Sequence, residues 1–318
     1  MNNPETLEQI AYGTPRGRWV VTAAVLGTAL AFLDATVVNV ALPNIGQDLD
    51  ATLGDLQWTV TGYMLTLSAW ILTGGALGDR YGRRRIFIVG TVWFAAASLL
   101  CGIAPNVPTL VAARAFQGIG GALLTPASLA IIEASFRKED RGRAIGAWSG
   151  LGGVAAAVGP FVGGYLLSIA TWRVIFLINI PMAAAIVWVT LRHVPESMDP
   201  RAPRQPDIAG AALGALGLGG VVYALIRASE GGFGQPVVWV TLAVGVIALI
   251  SFGVAEVRGK HPMLPLDIFS SRQFTGANLV TFVVYAALGG IFFLLVMNLQ
   301  QAVGYSPLEA GVATLPVT

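Results

Sequence analysis

Charged residues are scarce in this sequence, at 11% of its 318 residues, whereas soluble domains carry roughly a quarter. Most of the charge also falls in short clusters, which leaves long uncharged runs between them. A soluble helical fold needs polar residues along the outer face of its helices. The shortage of charge therefore excludes that class and predicts that most of the surface faces lipid.

Cysteine and histidine are rarer still. Cys101 is the single cysteine, so an internal disulfide framework is impossible, and its apolar surroundings favour a packing role. His193 and His261 have no Cys or acidic cluster near them at the spacing of metal ligands. We therefore expect neither a metal site nor an enzymatic centre.

The common signatures of nucleotide and nucleic-acid binding are missing. Glycine is abundant, with 39 residues, but no Gly-x-x-x-x-Gly-Lys phosphate-binding loop is present. No basic stripe with interleaved aromatic residues runs along the chain. We expect no cofactor, no ATP-driven mechanism and no nucleic-acid partner.

Long apolar runs fill the chain instead. Backbone polar groups in hydrocarbon must be bonded within the spanning segment, so each run is predicted to be a membrane-spanning helix. The first run follows Arg16 and Arg18, as a signal peptide would, but it is too long and lacks a cleavage site. The fold class is thus an all-α polytopic membrane protein. The nine complete spans are residues 19–42, 58–78, 86–104, 109–132, 144–170, 174–191, 208–226, 237–255 and 274–299, and a tenth begins near Leu308.

The placement of basic residues predicts the orientation. Most Lys and Arg residues fall in alternate connecting segments, while the segment 43–57 holds Asp48, Asp50 and Asp55 and no basic residue. Basic loops stay on the cytoplasmic side of a membrane. The pattern predicts a cytoplasmic N-terminus in a cell (plasma or inner) membrane, with the lipid bilayer as a partner.

A proline-rich segment predicts the domain organisation. Residues 193–207 hold Pro195, Pro200, Pro203 and Pro206 with interspersed arginines, which favours a solvated cytoplasmic linker. The predicted units are a cytoplasmic N-terminal segment (1–18), a six-helix bundle (19–192), this linker, two interposed spanning helices (208–256) and a partial second bundle (257–318). The run that is cut off at Thr318 leads us to expect that further C-terminal helices complete the fold.

Asp34 lies near the middle of the first span. A carboxylate at this depth costs at least about 2.5 kcal/mol, which makes it a candidate functional group, and it is able to take up and release protons. A purely structural carboxylate, bonded to nearby hydroxyl or backbone groups, is the alternative. Thr36 and Asn39, and Gln117 from the fourth span, are candidates to line a substrate cavity with Asp34, though Thr36 and Asn39 also suit bonds between helices.

Arg114 is the one basic residue inside a span. It shares a helix face with Gln117, Gly118 and Gly121, whose spacing lets a neighbouring helix approach. A buried arginine needs an acceptor, which Asp34 or a backbone carbonyl could supply. The alternative is an arginine that extends to water at the outer end of the helix, because Pro108 is close by.

Two further stretches have unusual spacing. The tight inner turn between spans two and three carries Gly75, Asp79, Arg80, Gly82, Arg83 and Arg84, and positive-inside charge alone does not explain this order. Span five holds Gly159, Pro160, Gly163 and Gly164, a small-residue face interrupted by a proline. Simple helix packing is the other explanation for that face.

These four stretches resemble motifs of the major facilitator superfamily, and in particular its fourteen-helix drug:proton antiporters. The resemblance implies that the inner turn is a cytoplasmic gate, that Arg114 takes part in proton transfer with Asp34, and that the span-five motif marks an exporter. It implies secondary active export of hydrophobic or cationic drug-like molecules, exchanged for protons by alternating access. A facilitator-type importer or uniporter of a small solute is the alternative, and a non-transporting receptor or scaffold is a further one.

Overall fold

The computed structural model describes residues 10–199, 207–259 and 266–314, in which helices make up nearly all of the regular structure. These ranges contain nine helical segments that are long and apolar enough to cross a membrane, and the sixth is formed by two consecutive helices. The predicted fold class and all nine complete spans are confirmed. The helices are α1 Pro15–Leu49, α2 Leu53–Tyr81, α3 Arg83–Gly102, α4 Val107–Ser135, α5 Arg141–Ile169, α6 Val174–Leu177, α7 Asn179–His193, α8 Ile208–Gly231, α9 Pro236–Arg258, α10 Arg272–Gln301 and α11 Pro307–Thr314, and a short 3₁₀ helix, Leu266–Ser270, precedes α10.

Several helices extend beyond the apolar runs because capping residues decide where they end. α1 begins directly after Thr14, whose hydroxyl accepts a hydrogen bond from the Gly17 amide, and it continues through Pro43 to Asp50, which ends it in a left-handed conformation. At the start of α2, Thr52 and Asp55 form a reciprocal capping box. Polar capping residues of this kind lie outside the hydrophobic pattern that predicted the spans.

α1 lies at the centre of the first bundle. It packs against α4, α5 and α7, while α2 and α3 both pack against α4. Small residues permit the closest approaches: a Cβ atom on Gly74 of α2 would overlap the backbone carbonyl of Ala122 in α4. This arrangement brings polar residues of α1, α3, α4 and α7 together in the middle of the bundle.

The connecting segments collect at two ends of the bundle. At one end, the backbone of Ile10 pairs with that of Ser135, the last residue of α4, and of Arg137 just after it, so two segments predicted to be cytoplasmic meet. At the other end, Arg173 Nη1 lies 2.6 Å from the Asp48 carboxylate, which joins two segments predicted to be outside. The arrangement agrees with the alternation of loops inferred from charge.

The first part of the predicted linker, residues 193–207, packs against the bundle, and its role as a linker stays a prediction. Val194 and Ser197 are buried, and the Ser197 carbonyl accepts a hydrogen bond of 2.9 Å from the Arg83 amide. The Asp199 amide donates to the Asp79 carbonyl. Residues 194–199 therefore pack against the turn between α2 and α3, because this turn offers unpaired backbone groups; residues 200–206, with Pro200, Pro203 and Pro206, lie outside the described residues.

The two helices after the linker pack mainly on each other, and α8 also contacts α2. A Cβ atom on Gly220 of α8 would come within 2.8 Å of the Gly245 Cα atom in α9, so the backbones of the pair lie close together. α11 packs on α5, and α10 touches α1. The domain boundaries drawn from the sequence stay a prediction.

Candidate proton and substrate site

A buried ion pair lies at the centre of the first bundle. Arg114 Nη1 in α4 is 2.5 Å from Asp34 Oδ2 in α1, and both side chains are almost fully excluded from solvent, at 1% and 0% exposed. Removing two such charges from water costs several kcal/mol per ion before their attraction and hydrogen bonds offset it. The pair therefore persists only because the surrounding groups satisfy both charges.

Amide and hydroxyl groups supply the remaining bonds to Asp34. Its Oδ1 atom accepts from Gln117 Nε2 and from Asn179 Nδ2, each at 2.9 Å. Both amides also donate to the Ser98 hydroxyl oxygen, at 3.2 Å and 2.8 Å, and that hydroxyl donates to the Phe176 carbonyl at 3.0 Å. The carboxylate thus has three donors from α4 and α7, and Ser98 of α3 holds two of them in place.

Arg114 has partners on every side. Its Nη1 atom donates to Gln117 Oε1 at 2.7 Å, and its Nε atom donates to the Thr59 carbonyl at 3.2 Å. Its guanidinium carbon lies 4.3 Å from the centre of the Tyr63 ring, a cation–π contact. These contacts exclude the alternative in which Arg114 extends to water; both acceptors considered from the sequence, Asp34 and a backbone carbonyl, are used.

The candidate cavity residues divide between two faces of α1. Thr36 and Asn39 line a cavity of about 930 Å³ between α1, α2, α5 and α10. Asp34 and Gln117 do not line it, because the Asp34 side chain points toward α3, α4 and α7. Successive residues of a helix point about 100° apart, so Asp34 and the cavity-lining Ala35 face different neighbours. The expectation that all four residues share one cavity is corrected accordingly.

The turn between α2 and α3 brings most of its predicted gate residues together. Asp79 accepts from Arg83 at 2.7 Å, and Gly82 adopts a φ of +109°, which favours glycine. Arg80 lies against the Tyr81 ring at 5.0 Å, while Gly75 faces Pro126 in α4. Arg84 donates from its Nη1 atom to the Val194 carbonyl at 3.2 Å.

Glu196 completes this turn from the linker. Its two carboxylate oxygens accept from the backbone amides of Arg84 and Arg85 at 3.0 Å and 3.2 Å, which places a negative charge at the N-terminus of α3, where the helix dipole favours it. A Cβ atom on Gly82 would come within 2.7 Å of this carboxylate. The closeness of Glu196 is thus a second reason, besides the positive φ, why position 82 requires glycine.

The small-residue face of α5 contacts two different helices. A Cβ atom on Gly159 would overlap the Thr36 hydroxyl, and one on Gly163 would come within 3.0 Å of Val37, both in α1. A Cβ atom on Gly164 would come within 2.5 Å of Leu308 Cα in α11. Pro160 lies between these contacts and lines the cavity. The motif residues therefore form the seam between the first bundle and the start of the next.

Sequence reasoning gave no role to Ser98, Asn179 or Glu196. Asn179 lies at the start of α7, directly after the break between α6 and α7, and Ser98 lies on a buried face of α3. For Ser98 and Asn179 the sequence does carry one signal. Both are polar residues inside otherwise apolar spans, and such residues are candidate partners of a buried charge. Glu196 carried no comparable signal, since an acidic residue in a polar segment is unremarkable.

Comparison with known proteins decides the family. The family model described as "Major Facilitator Superfamily" matches residues 24–317. The chain belongs to this superfamily. The family resemblance inferred from the motifs is thereby confirmed, and the protein is a multi-pass membrane protein of a transporter family.

Relatives within the superfamily include antibiotic resistance proteins. The methylenomycin A resistance protein of Bacillus subtilis (strain 168) is 38% identical over 318 residues, which cover 100% of this chain and 67% of the relative. The tetracenomycin C resistance and export protein of Streptomyces glaucescens is 37% identical over 306 residues, which cover 95% of this chain and 57% of the relative. The chain thus spans only part of the length of these relatives.

A solved structure supports the fold. The crystal structure of the peptide transporter POT in complex with sulfate superimposes with a TM-score of 0.66 and 14% identity, over 99% of this chain and 69% of that one. At this level of identity the likeness concerns the fold alone.

Proposed function

We propose that the protein is a secondary active transporter that exports small drug-like molecules in exchange for protons. The observation that carries this proposal is the buried Asp34–Arg114 pair, since charged groups inside a membrane bundle are costly and are therefore candidate functional groups. The printed names of the two relatives, which speak of resistance and of export, support the direction. Superfamily membership supports a small-molecule substrate rather than an enzymatic reaction.

Asp34 is the proposed proton acceptor and Arg114 its charge partner. Protonation of Asp34 would remove one charge of the pair and leave Arg114 with Gln117, the Thr59 carbonyl and the Tyr63 ring. Because three donors from α4 and α7 hold the carboxylate, the change alters how α1 is bound to its neighbours. The proton is therefore proposed to act by releasing α1 from this cluster.

Substrate and proton are proposed to meet α1 from opposite sides. Thr36 and Asn39 lie on the cavity side, and Asp34 lies on the side of α3, α4 and α7. Direct competition for one carboxylate is not needed in this arrangement. Coupling passes instead through the position of α1, which contributes to both sites.

The two remaining motifs are proposed to serve the same cycle. The turn with Gly75, Asp79, Arg80, Gly82, Arg83 and Arg84 is proposed as the cytoplasmic gate, fixed by Glu196 and the Asp79–Arg83 pair. Gly159, Pro160, Gly163 and Gly164 are proposed as the antiporter motif at the seam where α1 and α11 meet α5. The charge distribution supports a cell membrane location with a cytoplasmic N-terminus.

The test compares two matched substitutions in everted membrane vesicles that carry the protein. Asp34→Asn preserves shape and removes the titratable group, so substrate-driven proton release and proton-driven uptake into everted vesicles should both be lost. Asp50→Asn makes the same chemical change at an exposed position beyond α1 and should leave both activities intact. Unchanged proton-driven transport in Asp34→Asn would exclude the proposed role.

The same vesicles separate the alternatives. A facilitator-type importer or uniporter would move substrate down its gradient without a proton gradient. A receptor or scaffold would show neither substrate flux nor substrate-driven proton movement.

A further inference from the structure

The cavity beside α1 has two chemically different walls. Its volume of about 930 Å³ suits a drug-sized molecule. One wall is formed by α1 and α2 and mixes uncharged polar side chains with apolar ones. The opposite wall is a stripe of α10 and is aromatic and aliphatic. The polar wall holds Thr36, Asn39, Gln57, Thr61 and Ser68; the apolar wall includes Tyr285, Leu288, Phe292 and Phe293.

No charged side chain lines this cavity within the described ranges. The buried charges nearest to α1 are Asp34, which belongs to it, and Arg114 of α4, and this pair lies on another side of the helix. Both are already satisfied: Asp34 accepts from three donors, and Arg114 is paired with it. The Asp34 carboxylate, the one negative charge of the pair, is therefore not available to compensate a cationic ligand, and moving an uncompensated charge out of water is strongly unfavourable.

Asn39 provides a directed acceptor in the polar wall. Its Nδ2 atom donates to the Ala35 carbonyl at 3.1 Å within the same helix. Its Oδ1 atom is buried and has no hydrogen-bond partner among the described residues. A buried amide oxygen without a partner carries an unfavourable free energy. Because Asn39 lines the cavity, a rotation of its side chain would turn this oxygen toward a ligand donor, which would remove that cost.

We propose that this cavity binds uncharged, largely aromatic molecules that carry a hydrogen-bond donor for Asn39 Oδ1, and that it discriminates against cations of the same shape. The apolar wall of α10 stacks against the flat body of the molecule, and the polar wall orients its donor. This inference rests on the proposed function and narrows its substrate class, because the sequence left hydrophobic and cationic substrates equally open.

Three fluorescent tricyclic probes of nearly equal size separate the contributions. Acridone is neutral and has an N–H donor, N-methylacridone is neutral without that donor, and N-methylacridinium has a fixed positive charge. Binding is measured by fluorescence titration of the purified protein in nanodiscs, with empty nanodiscs as the background. We expect acridone to bind at least roughly tenfold more tightly than N-methylacridinium, with N-methylacridone between them. Equal or tighter binding of the cation, or no saturable binding of any probe, would overturn the proposal.

Substitutions at Asn39 test whether the polar wall determines the affinity order of the three probes. Asn39→Ala should abolish the preference for acridone over N-methylacridone, and Asn39→Asp should shift the affinity ratio toward the cation. Asn278→Asp is the matched control, because Asn278 is exposed on α10 and makes the same bond to the carbonyl four residues earlier; its ratio should stay unchanged. If neither Asn39 variant altered the affinity ratios, the cavity assignment would be wrong.

Binding in nanodiscs needs no proton gradient, so this test is independent of the test of export. The expected affinity order together with failed proton-driven transport would refute the proposed function and leave the ligand class in place. Proton-driven transport together with a preference for the cation would refute only the ligand class.

Discussion

Asn179 in α7 donates a hydrogen bond of 2.9 Å to the Asp34 carboxylate in α1, and the same amide nitrogen donates to Ser98 in α3 at 2.8 Å. The Asn179 side chain thus connects α7 with α1 and α3, and its partner in α1 is the carboxylate of the buried Asp34–Arg114 pair. Its position explains why a polar residue is present inside an apolar span. It also makes Asn179 a sensitive probe of how the carboxylate is held.

Asn179→Leu should lower the thermal stability of the protein in detergent. The change leaves Asp34 with one donor fewer and Ser98 with an unmatched lone pair, at a cost of about 1–3 kcal/mol. Thermal unfolding followed by tryptophan fluorescence measures it. Asn278→Leu removes a bond that lies on an exposed helix face, so its melting temperature should stay close to that of the parent; an equal loss in both variants would contradict a special role for Asn179.

Removing the charge of either Asp34 or Arg114 alone should destabilise the protein more than removing both charges. Asp34→Asn and Arg114→Gln each leave one buried charge without its partner, and such a loss costs roughly 3–5 kcal/mol. The double variant removes both charges and should be more stable than either single variant. A double-mutant cycle in thermal unfolding measures the coupling, and additive losses would show that the two groups do not interact.

Gly159→Ala should separate α5 from α1. The added methyl group would overlap the Thr36 hydroxyl, and overpacking of this kind costs about 1–3 kcal/mol. A methyl group added at Gly153 on the same helix would have no heavy atom of a neighbouring residue within 4 Å, so Gly153→Ala should be neutral or slightly stabilising because alanine favours helix. The difference in melting temperature between the two variants is the measurement; equal values would mean that the α1–α5 contact is not close.

Glu196→Gln should loosen residues 194–199 from the turn between α2 and α3. The substitution removes the negative charge from the α3 N-terminus, which is worth about 1 kcal/mol or less because the side chain is one-third exposed, at 33%. We expect faster trypsin cleavage in the linker of the protein in vesicles that expose its cytoplasmic side. Glu139→Gln, a change at an exposed acid after α4, is the control, and cleavage rates that match between the variants would refute the contact.

The spans were predictable because a bilayer imposes a single rule on every segment that crosses it: the backbone must bond to itself and the side chains must be apolar. The helix ends were less predictable, since Thr14 and Asp50 act through local hydrogen bonds and backbone conformation. The contacts of the linker were not predictable from the sequence. Its prolines indicate a break in helix but do not reveal that Glu196 reaches the amides of α3.

The sequence by itself determined that the chain is a helical membrane protein of the major facilitator superfamily, and it singled out Asp34 and Arg114 as costly groups. Only the tertiary structure decided which groups meet. Asp34 and Arg114 are 80 positions apart, and the direction of the Asp34 side chain depends on how α1 is rotated against the helices around it. That rotation places the ion pair on one face of α1 and the uncharged cavity on another, because residues one position apart on a helix point to different partners.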